Sequence, residues 1–441
     1  MALRLNSKDP NFNQSLSDLM GSRSFVQADL SQTVAKIISE VRSRGDEALL
    51  AYTQKFDRYN ALSAQALLVS VESVRAAVAE CDRDVIRALT KAADRIEAYH
   101  QHQMPQNFDY VDEAGVRLGA RWTALSSVGL YVPGGTASYP SSVLMNAVPA
   151  RVAGVQRLVM VVPAPDGVLS PAVLAAAQIS GIEEIYTIGG AQAVAALAYG
   201  TESIRPVDKI VGPGNAYVAE SKRQVFGQVG IDMIAGPSEI LVVADADNNP
   251  EWIAADLLSQ AEHDTQAQSI LICDDSGFAN AVEVEASKIL QNLPRKDIAS
   301  QSWDKFGAII ELESLQDAPA LINLLAAEHV ELAVDDPNSL MEQITNAGAI
   351  FLGRYTPEAV GDYMAGPSHV LPTSRSARFS SGLGVFDFLK RSSIVGCDSG
   401  SLEGLTADGE ILAAAEGLEA HRLSLAVRSN SNSANAKARG L

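Results

Sequence analysis

The chain has 441 residues, which at about 150 residues per domain corresponds to two to four domains. Its 53 acidic and 34 basic residues give a net charge of −19, and a surface of that charge repels phosphate and anionic lipid. We therefore expect neither nucleic acid nor membranes as partners. No apolar stretch approaches the ~20 residues of a membrane span, and the first residues lack the apolar core of a signal peptide. Three widely spaced cysteines argue against a disulfide framework, so we expect a cytoplasmic protein.

Residues 28–105 show helical periodicity. Val34, Ile37 and Val41 form an apolar stripe, and Arg44-Gly45-Asp46 predicts the end of one helix and the start of the next. Near the end of this region, Tyr99, His100 and His102 lie on a polar stretch that we expect to be exposed. We assign no functional role to His100 or His102.

Short strand-like runs alternate with alanine-rich helical runs from Gly129 onward. Strand, helix and strand in succession indicate a parallel α/β sheet, and apolar residues at nearly every strand position indicate burial on both faces. The predicted strands cover 157–162, 184–188, 209–211, 239–244, 269–273, 308–312, 331–334 and 349–352. The predicted helices cover 171–180, 191–199, 216–226, 250–262, 278–290 and 318–329.

Glycine- and proline-rich turns follow several of these strands. They are Tyr131-Val-Pro-Gly-Gly135, Gly189-Gly190, Val211-Gly-Pro-Gly-Asn215 and Ala235-Gly-Pro-Ser238. Glycine lets the backbone approach a ligand, a following helix offers free N–H groups, and ligands of α/β sheets bind at the carboxyl ends of strands. The dinucleotide fingerprint GxGxxG is absent, so a nucleotide would be held in another way, and weakly.

Two His-containing segments each allow two interpretations. Gln260 and His263 are three residues apart at the end of a predicted helix, so they either hold a metal together or form an exposed helix end. Glu328 and His329 are adjacent and cannot share a helix face. They either project toward one substrate as separate acid–base groups or form a solvated pair.

Two further segments add candidate metal ligands. One is the loop that carries Asp362 and His369, and the other is the segment that carries Glu416 and His421. With Gln260 and His263 they provide imidazole, carboxylate and amide groups, a plausible set for Zn²⁺ without thiolate. A thiol nucleophile is not expected, because each cysteine lies in a buried strand or beside acidic residues.

These motifs together resemble the histidinol dehydrogenase family, in unbroken order from about residue 30 to residue 425. The motifs that carry the resemblance are Arg44-Gly-Asp-Glu-Ala48, Gly129–Gly135, Gly189-Gly-Ala-Gln192, Val211–Asn215, Asp232–Glu239, Gln260–His263, Ala327–His329, Gly361-Asp362, Gly366–His369, Phe379–Gly382, and Glu416 with His421.

The resemblance implies a reaction and a set of site residues. The family oxidises L-histidinol to L-histidine through L-histidinal, consuming two NAD⁺, in the last steps of histidine biosynthesis. It implies Glu328 and His329 as the acid–base pair, in which His329 accepts the hydroxyl proton and Glu328 activates water. The remaining implied roles are zinc ligands at Gln260, His263, Asp362 and His421, substrate contacts at these four residues and at Ser238, His329 and Glu416, and NAD⁺ contacts at Tyr131, Gln192 and Asn215.

The fold implied is α/β, with two incomplete Rossmann-like lobes that have parallel sheets, one inserted in the other. The expected division is an N-terminal arm (1–27), a first lobe (28–130 and 239–383), an inserted NAD-binding lobe (131–238) and a C-terminal extension (384–441). Small N- and C-terminal extensions would clasp the second subunit of a homodimer, and His421 would complete the partner's active site. The polar residues from about 429 onward are expected to be disordered.

Three alternatives remain open from the sequence. A member of the same family could act on a related amino alcohol, since pocket shape decides selectivity. A zinc hydrolase would use Glu328 to activate water and would need no NAD⁺. A sugar- or amino-acid-binding module would have the two lobes without a metal.

Overall fold

The structure, a computed structural model, describes residues 2–21, 28–134 and 139–438. Its strands are β1 (Leu3–Asn6), β2 (Phe108–Val111), β3 (Arg117–Ala124), β4 (Ser127–Tyr131), β5 (Arg157–Val161), β6 (Glu184–Tyr186), β7 (Lys209–Val211), β8 (Gly230–Ile231), β9 (Glu239–Ala244), β10 (Gln268–Cys273), β11 (Ala308–Glu311), β12 (His329–Ala333), β13 (Ala349–Leu352) and β14 (Leu389–Gly396). Within the described ranges, no helix combines the length and the apolar character needed to cross a lipid bilayer.

The helices of these ranges connect and cover the strands. They are α1 (Phe12–Gly21), α2 (Ala28–Asp57), α3 (Val71–Glu80), α4 (Arg83–Gln101), α5 (Pro140–Val152), α6 (Pro171–Ile179), α7 (Gly190–Tyr199), α8 (Ala216–Val225), α9 (Pro250–Ala261), α10 (Ser276–Asn292), α11 (Lys296–Phe306), α12 (Ala318–Leu325), α13 (Pro337–Met341), α14 (Glu358–Tyr363), α15 (Ser399–Ala415) and α16 (Glu419–Ala438). The chain divides into two compact units, one of residues 1–103 and 125–388 and one of residues 104–124 and 389–441.

A six-stranded parallel sheet in the first unit has the order β1-β11-β10-β9-β12-β13. Along β9, Ile240 and Val242 pack into one hydrophobic cluster with α9, α10 and α11, whereas Leu241 and Val243 pack into another with α1 and α12. Burial on both faces is what the unbroken apolar runs predicted. The N-terminal residues, expected as an arm, contribute the edge strand β1 to this sheet.

A five-stranded parallel sheet has the order β6-β5-β4-β7-β8, and its residues lie between β1 and β9 in the chain. Two parallel α/β sheets, one inserted in the other, confirm the predicted fold class. The strand order reverses beside β4, so a crevice opens between the carboxyl ends of β4 and β7. Tyr131 ends β4 and Gly212 follows β7, which places two of the glycine turns at this switch point.

The helical region 28–105 corrects the expected division of the lobes. Val34, Ile37 and Leu49 of α2 belong to the same hydrophobic cluster as Val159 of β5. The apolar stripe of α2 therefore covers the inserted lobe, on α7 and α8, and not the first lobe as expected. The predicted break is present, because Gly45 has φ 52° and ψ −128° inside α2.

His100 is a second correction in this region. It is fully buried, and its Nδ1 lies 2.7 Å from the Ile96 carbonyl oxygen. Its spacing from the buried Leu89, Ala93 and Ile96 puts it on the apolar face of α4, a position that the surrounding polar residues concealed. His102, by contrast, is exposed.

The second unit contains an antiparallel sheet of order β14-β3-β2 and the helices α15 and α16. The sequence did not predict this sheet, because all four residues of β2 are exposed and β3 has no continuous apolar run. The C-terminal extension pairs with residues 117–124 through β14, so that segment belongs with the extension and not with the first lobe. Helix α16 continues to Ala438, past residue 429, where the composition predicted disorder.

Candidate active site

The predicted catalytic and metal-binding residues of the first unit cluster near the amino ends of strands in the six-stranded sheet. Ser238 immediately precedes β9, His329 is the first residue of β12, and Gln260 lies on the last turn of α9 before β10. Sequence reasoning expected ligands at the carboxyl ends of strands. The glycine turns after β4 and β7 lie at such carboxyl ends, whereas the residues of this edge lie at amino ends.

His329 is buried, and its ring is oriented by the main chain. Its Nδ1 lies 2.9 Å from the carbonyl oxygen of Glu239, which can only accept a hydrogen bond. Nδ1 therefore carries the proton, and Nε2 is left with its lone pair. Burial lowers the pKa of His329, although the charge of Asp362 opposes the change. The side chain is thus suited to act as a base through Nε2.

Glu328 is buried beside it. Its Oε2 accepts a hydrogen bond from the Glu239 N–H at 2.9 Å and lies 3.7 Å from His329 Nδ1. Burial, followed by the charge of Glu239, raises the pKa of Glu328 well above its ordinary value. The alternative of a solvated Glu–His pair is therefore wrong.

The backbone before this pair differs from the predicted helix over 318–329. Helix α12 ends at Leu325, because Ala326 adopts a left-handed conformation with φ 49°, and β12 starts at His329 instead of Glu331. His329 therefore belongs to a strand and Glu328 to the bend before it, so neither side chain leaves a helix terminus. Both are held by the main chain of the adjacent strand β9.

A carboxylate that sequence reasoning missed lies next to the pair. Glu358 is almost fully buried, and its Oε1 is 3.6 Å from His329 Nε2. One ligand atom from each of His329, Glu358 and Asp362 lies within 4.8 Å of the others. Glu358 and Asp362 are four residues apart on α14 and share a face, so the spacing was a usable signal for Glu358.

Asp362 is an ionised carboxylate in this cluster. Burial alone would raise its pKa, but the hydrogen bond to His369 and the charges of His369, His329 and His263 lower it to about 2. The His369 Nδ1 lies 3.5 Å from Asp362 Oδ1, and its Nε2 lies 3.3 Å from the Ser142 hydroxyl. The charges of His263 and His329 both act on Asp362, so the three residues lie within electrostatic range of one another.

Gln260 has the buried, unpartnered polar side chain that is expected of a metal ligand. Its side chain is fully buried, and neither its amide oxygen nor its amide nitrogen has a hydrogen-bond partner in the described part of the chain. Buried polar groups are normally satisfied, so an unpartnered amide indicates a missing partner. His263 follows the end of α9, and its N–H bonds to the Gln260 carbonyl at 3.1 Å. An amide oxygen, an imidazole and a carboxylate suit Zn²⁺, so the residues fit the metal.

The structure contains a second pair of buried carboxylates, Glu331 and Asp256. Glu331, two residues after His329, shares a hydrogen bond with Asp256 of α9. Burial raises the pKa of Glu331 to about 9 and that of Asp256 to about 6. Sequence reasoning missed this pair, because nothing in their local sequence shows that β12 and α9 bring them together.

The predicted NAD⁺ contacts lie at the glycine turns of the five-stranded sheet. The Tyr131 hydroxyl accepts a 2.9 Å hydrogen bond from Gly190 N–H, and burial raises its pKa to about 12. Gln192 is buried at the start of α7, and its Oε1 has no partner among the described residues. Asn215 caps α8 through bonds from Tyr217 and Val218 N–H. Gly135 lies outside the described residues.

These turns fit a dinucleotide. The unpartnered Gln192 oxygen adjoins Gly189 and Gly190 at a helix start, where backbone N–H groups can bind phosphate. A Cβ added to Gly212, which has φ 111°, would overlap the Tyr131 backbone, so glycine is required where the turns after β4 and β7 meet.

Two predicted residues, Glu416 and His421, lie in the second unit. Glu416 is the C-cap residue directly after α15 and His421 lies in the first turn of α16, and both are exposed in the single chain.

Comparisons with known proteins give matches over nearly the whole chain. The model of the histidinol dehydrogenase family matches residues 22–429. The histidinol dehydrogenase of Rhodospirillum rubrum is 59% identical over 431 residues, which cover 98% of this chain and 99% of that protein. The histidinol dehydrogenase of Mesorhizobium japonicum is 57% identical over 430 residues, which cover 98% and 100% of the two chains.

A solved structure gives the same result for the fold. The crystal structure of histidinol dehydrogenase from Elizabethkingia anophelis has a TM-score of 0.92 and 35% identity, with 98% of this chain and 99% of that chain covered. Both the resemblance of the motifs and the predicted fold class are confirmed. The chain therefore belongs to the histidinol dehydrogenase family.

Proposed function

We propose that this protein is a zinc-dependent histidinol dehydrogenase that oxidises L-histidinol through L-histidinal to L-histidine with two NAD⁺, in the last steps of histidine biosynthesis. The observation that carries the proposal is the buried Glu328–His329 pair beside Asp362, in a chain of this family. NAD⁺ supplies the hydride acceptor in both oxidations.

His329 serves as the base of both oxidations. Its Nε2 takes the proton of the alcohol in the first step, because Nδ1 is held on the Glu239 carbonyl. Release of that proton to its neighbours makes the ring available again for the hydrated aldehyde. The nearest carboxyl group to Nε2 is that of Glu358, at 3.6 Å.

Glu328 activates the water that hydrates the aldehyde between the two oxidations. A carboxylate with a raised pKa is a stronger base than an exposed one, so its surroundings favour proton uptake from water. Hydration by water removes the need for a thiol nucleophile. This suits a chain in which Cys273 is buried and burial raises its pKa to about 12.

Gln260, His263 and Asp362, with His421 of the partner subunit, would hold the zinc ion. Bound there, zinc supplies Lewis-acid orientation of the imidazole-bearing alcohol. The same four residues, with Ser238, His329 and Glu416, would line the substrate. The unpartnered Gln260 amide and the ionised Asp362 support this assignment.

Tyr131, Gln192 and Asn215 would contact NAD⁺ at the switch point of the five-stranded sheet. The unpartnered Gln192 oxygen and the glycine turn at Gly212 support the assignment. Without the fingerprint GxGxxG, binding is expected to be weak, which suits an enzyme that exchanges NADH for NAD⁺ while the aldehyde stays bound.

A homodimer with shared active sites completes the proposal. Helices α15 and α16 and the short connection between them expose large apolar side chains in the single chain, which is typical of an interaction surface. They are Leu405, Ile411, Leu412, Leu418, Leu423 and Val427. This surface includes the segment that carries Glu416 and His421, so the C-terminal extension is the part that we expect to contact the partner subunit. Three free cysteines support a cytoplasmic location.

An assay of NADH production from L-histidinol tests the function, with and without a chelator. We expect two NADH per substrate and loss of activity after zinc removal. Turnover without NAD⁺ would favour the zinc hydrolase, and higher activity on another amino alcohol would favour an altered substrate. Absence of any turnover would favour the binding module.

The variant His263→Ala tests the metal site in the same assay. We expect zinc content and turnover to fall together, by about 10- to 100-fold in turnover, because one of the imidazole ligands is lost. The matched control is His102→Ala, since His102 is exposed at the end of α4. Full zinc content in His263→Ala would contradict the assignment.

A further inference from the structure

The main chain of one residue contacts both members of the acid–base pair. Glu239, the first residue of β9, donates its N–H to Glu328 Oε2 and accepts from His329 Nδ1 through its carbonyl, both at 2.9 Å. The orientation of this single residue therefore sets the position of two side chains at once.

The side chain of Glu239 is itself fixed. It is buried, with 6% of the residue exposed, and its Oε1 accepts a 2.9 Å hydrogen bond from Ser374 N–H. Ser374 and Arg375 both have left-handed backbone, with φ 54° and 63°, which non-glycine residues rarely adopt. Such a turn persists only where its surroundings hold it.

The same turn contacts the segment before β9 a second time. The Thr373 hydroxyl accepts a hydrogen bond from Gly236 N–H, so the turn is attached on both sides of Ser238. Glu239 is thus tied to the turn through its side chain and to the acid–base pair through its main chain.

The charge of Glu239 also acts on Glu328. After burial, it is the largest influence that raises the pKa of Glu328, and the more distant Asp362 and Glu358 act in the same direction. His329 also faces Glu328, and its Nδ1 lies 3.7 Å from Glu328 Oε2. Removing the Glu239 charge should therefore make Glu328 easier to ionise.

We propose that Glu239 is a positioning residue of the reaction: its side chain, hydrogen-bonded to the turn at Ser374, fixes the main-chain N–H and carbonyl of Glu239 that orient Glu328 and His329. The inference rests on the proposed function. Glu239 acts through the pair and not on the substrate, so both oxidations depend on it. Neither the resemblance of the motifs nor the comparisons assign it this role.

Two substitutions separate the effect of the hydrogen bond to Ser374 from the effect of the negative charge of Glu239. Glu239→Gln keeps a carbonyl oxygen for Ser374 N–H but removes the charge, and Glu239→Ala removes both. The matched control is Glu311→Gln, since Glu311 is a carboxylate on the same sheet that bonds Arg4 and Ser276 away from the site. All variants are measured as full-length, zinc-loaded enzyme with L-histidinol and with L-histidinal.

In Glu239→Ala, kcat should fall about 10- to 100-fold for both substrates, with KM and zinc content unchanged, because misplaced catalytic groups slow the chemistry and not binding. In Glu239→Gln, kcat should stay within about threefold at the optimum. The acidic limb of its pH profile with L-histidinal should move to lower pH, because Glu328 loses a negative neighbour. The shift should vanish in the double variant Glu239→Gln/Glu328→Gln.

A pH profile of Glu239→Gln that superimposes on that of the wild type, together with full kcat in Glu239→Ala, overturns the inference. If Glu239→Ala does not fold, the profile of Glu239→Gln decides alone. A larger rise in KM than fall in kcat would make Glu239 a substrate-binding residue and would also overturn it. Failure of the wild type to produce NADH from L-histidinol is a separate result, which refutes the proposed function instead.

Discussion

Burial shifts the pKa values of the two adjacent residues of the acid–base pair in opposite directions. It disfavours the charged form of each group, so the pKa of Glu328 rises and that of His329 falls. A neutral imidazole can accept a proton, and a carboxylate with a raised pKa is a stronger base toward water than an exposed one. The fold thereby prepares one residue to take the first proton and the other to act on water.

The variant Glu328→Gln should separate the two oxidations. A glutamine keeps the hydrogen bond from Glu239 N–H but cannot take a proton from water, so the aldehyde step should fall about 100-fold or more. The alcohol step, which needs His329, should fall less than about tenfold. Rates with L-histidinol and L-histidinal, followed by NADH absorbance, give the comparison, and equal loss in both would contradict the hydration role.

The pair Glu331–Asp256 should make stability depend on pH. The pKa of Glu331 rises from 4.5 to about 9 in the folded chain, chiefly through burial. Its contribution is therefore fully present below about pH 4.5 and is lost as the pH rises toward about 9. Glu331→Gln removes this titration but keeps an N–H donor for Asp256.

We expect the stability of Glu331→Gln relative to the wild type to increase between about pH 5 and about pH 9, by on the order of 1 kcal/mol per pH unit, in urea unfolding at each pH. The control is Glu313→Gln, because the Glu313 side chain is 65% exposed. Parallel pH dependence of Glu331→Gln and wild type would show that Glu331 does not carry the buried proton.

At the scale of elements, the break in α2 depends on glycine. Gly45 has φ 52° and ψ −128°, and Asp46 N–H bonds Glu202 Oε2 at 2.8 Å, so the second half of the helix starts against the inserted lobe. A Cβ at position 45 would overlap the Glu202 carboxylate.

Gly45→Ala should lower the free energy of unfolding by about 1–3 kcal/mol, because alanine disfavours this backbone and displaces Glu202. The measurement is the midpoint of urea unfolding. Gly21→Ala is the control, because a Cβ there meets nothing within 4 Å and the change is expected within about 0.5 kcal/mol. Equal midpoints for both variants would contradict the requirement for glycine.

Elements with long apolar runs could be predicted, whereas short or exposed ones could not. The strand over 239–244 is as predicted, because every residue of β9 is buried and apolar or site-forming. The helix predicted over 318–329 ends at Leu325 in the structure. The prediction was too long because nothing in the sequence Leu325-Ala326-Ala327 indicates that Ala326 is left-handed. The exposed strand β2 has no pattern at all to detect.

At the scale of the whole molecule, the proposal requires two chains per active site. His421 lies in the second unit and Glu328 in the first. Subunits with His421→Ala and subunits with Glu328→Gln, each of low activity, should regain about a quarter of wild-type activity when mixed, because half of the dimers are mixed and each has one intact site. NADH production after co-refolding measures this. No recovery, with mixed dimers present, would place His421 and Glu328 of the same chain in one site.

The sequence alone determined the family, the two parallel sheets and the residue types of the site, because glycine turns, apolar runs and His-containing motifs are local patterns. The tertiary structure decided which residues meet. Glu239 and Glu328 lie 89 positions apart, and only the parallel pairing of β9 with β12 brings them into contact. The burial of Glu358, Glu331 and His100 was equally hidden. Burial and pKa depend on packing between distant segments, and no local pattern encodes that packing.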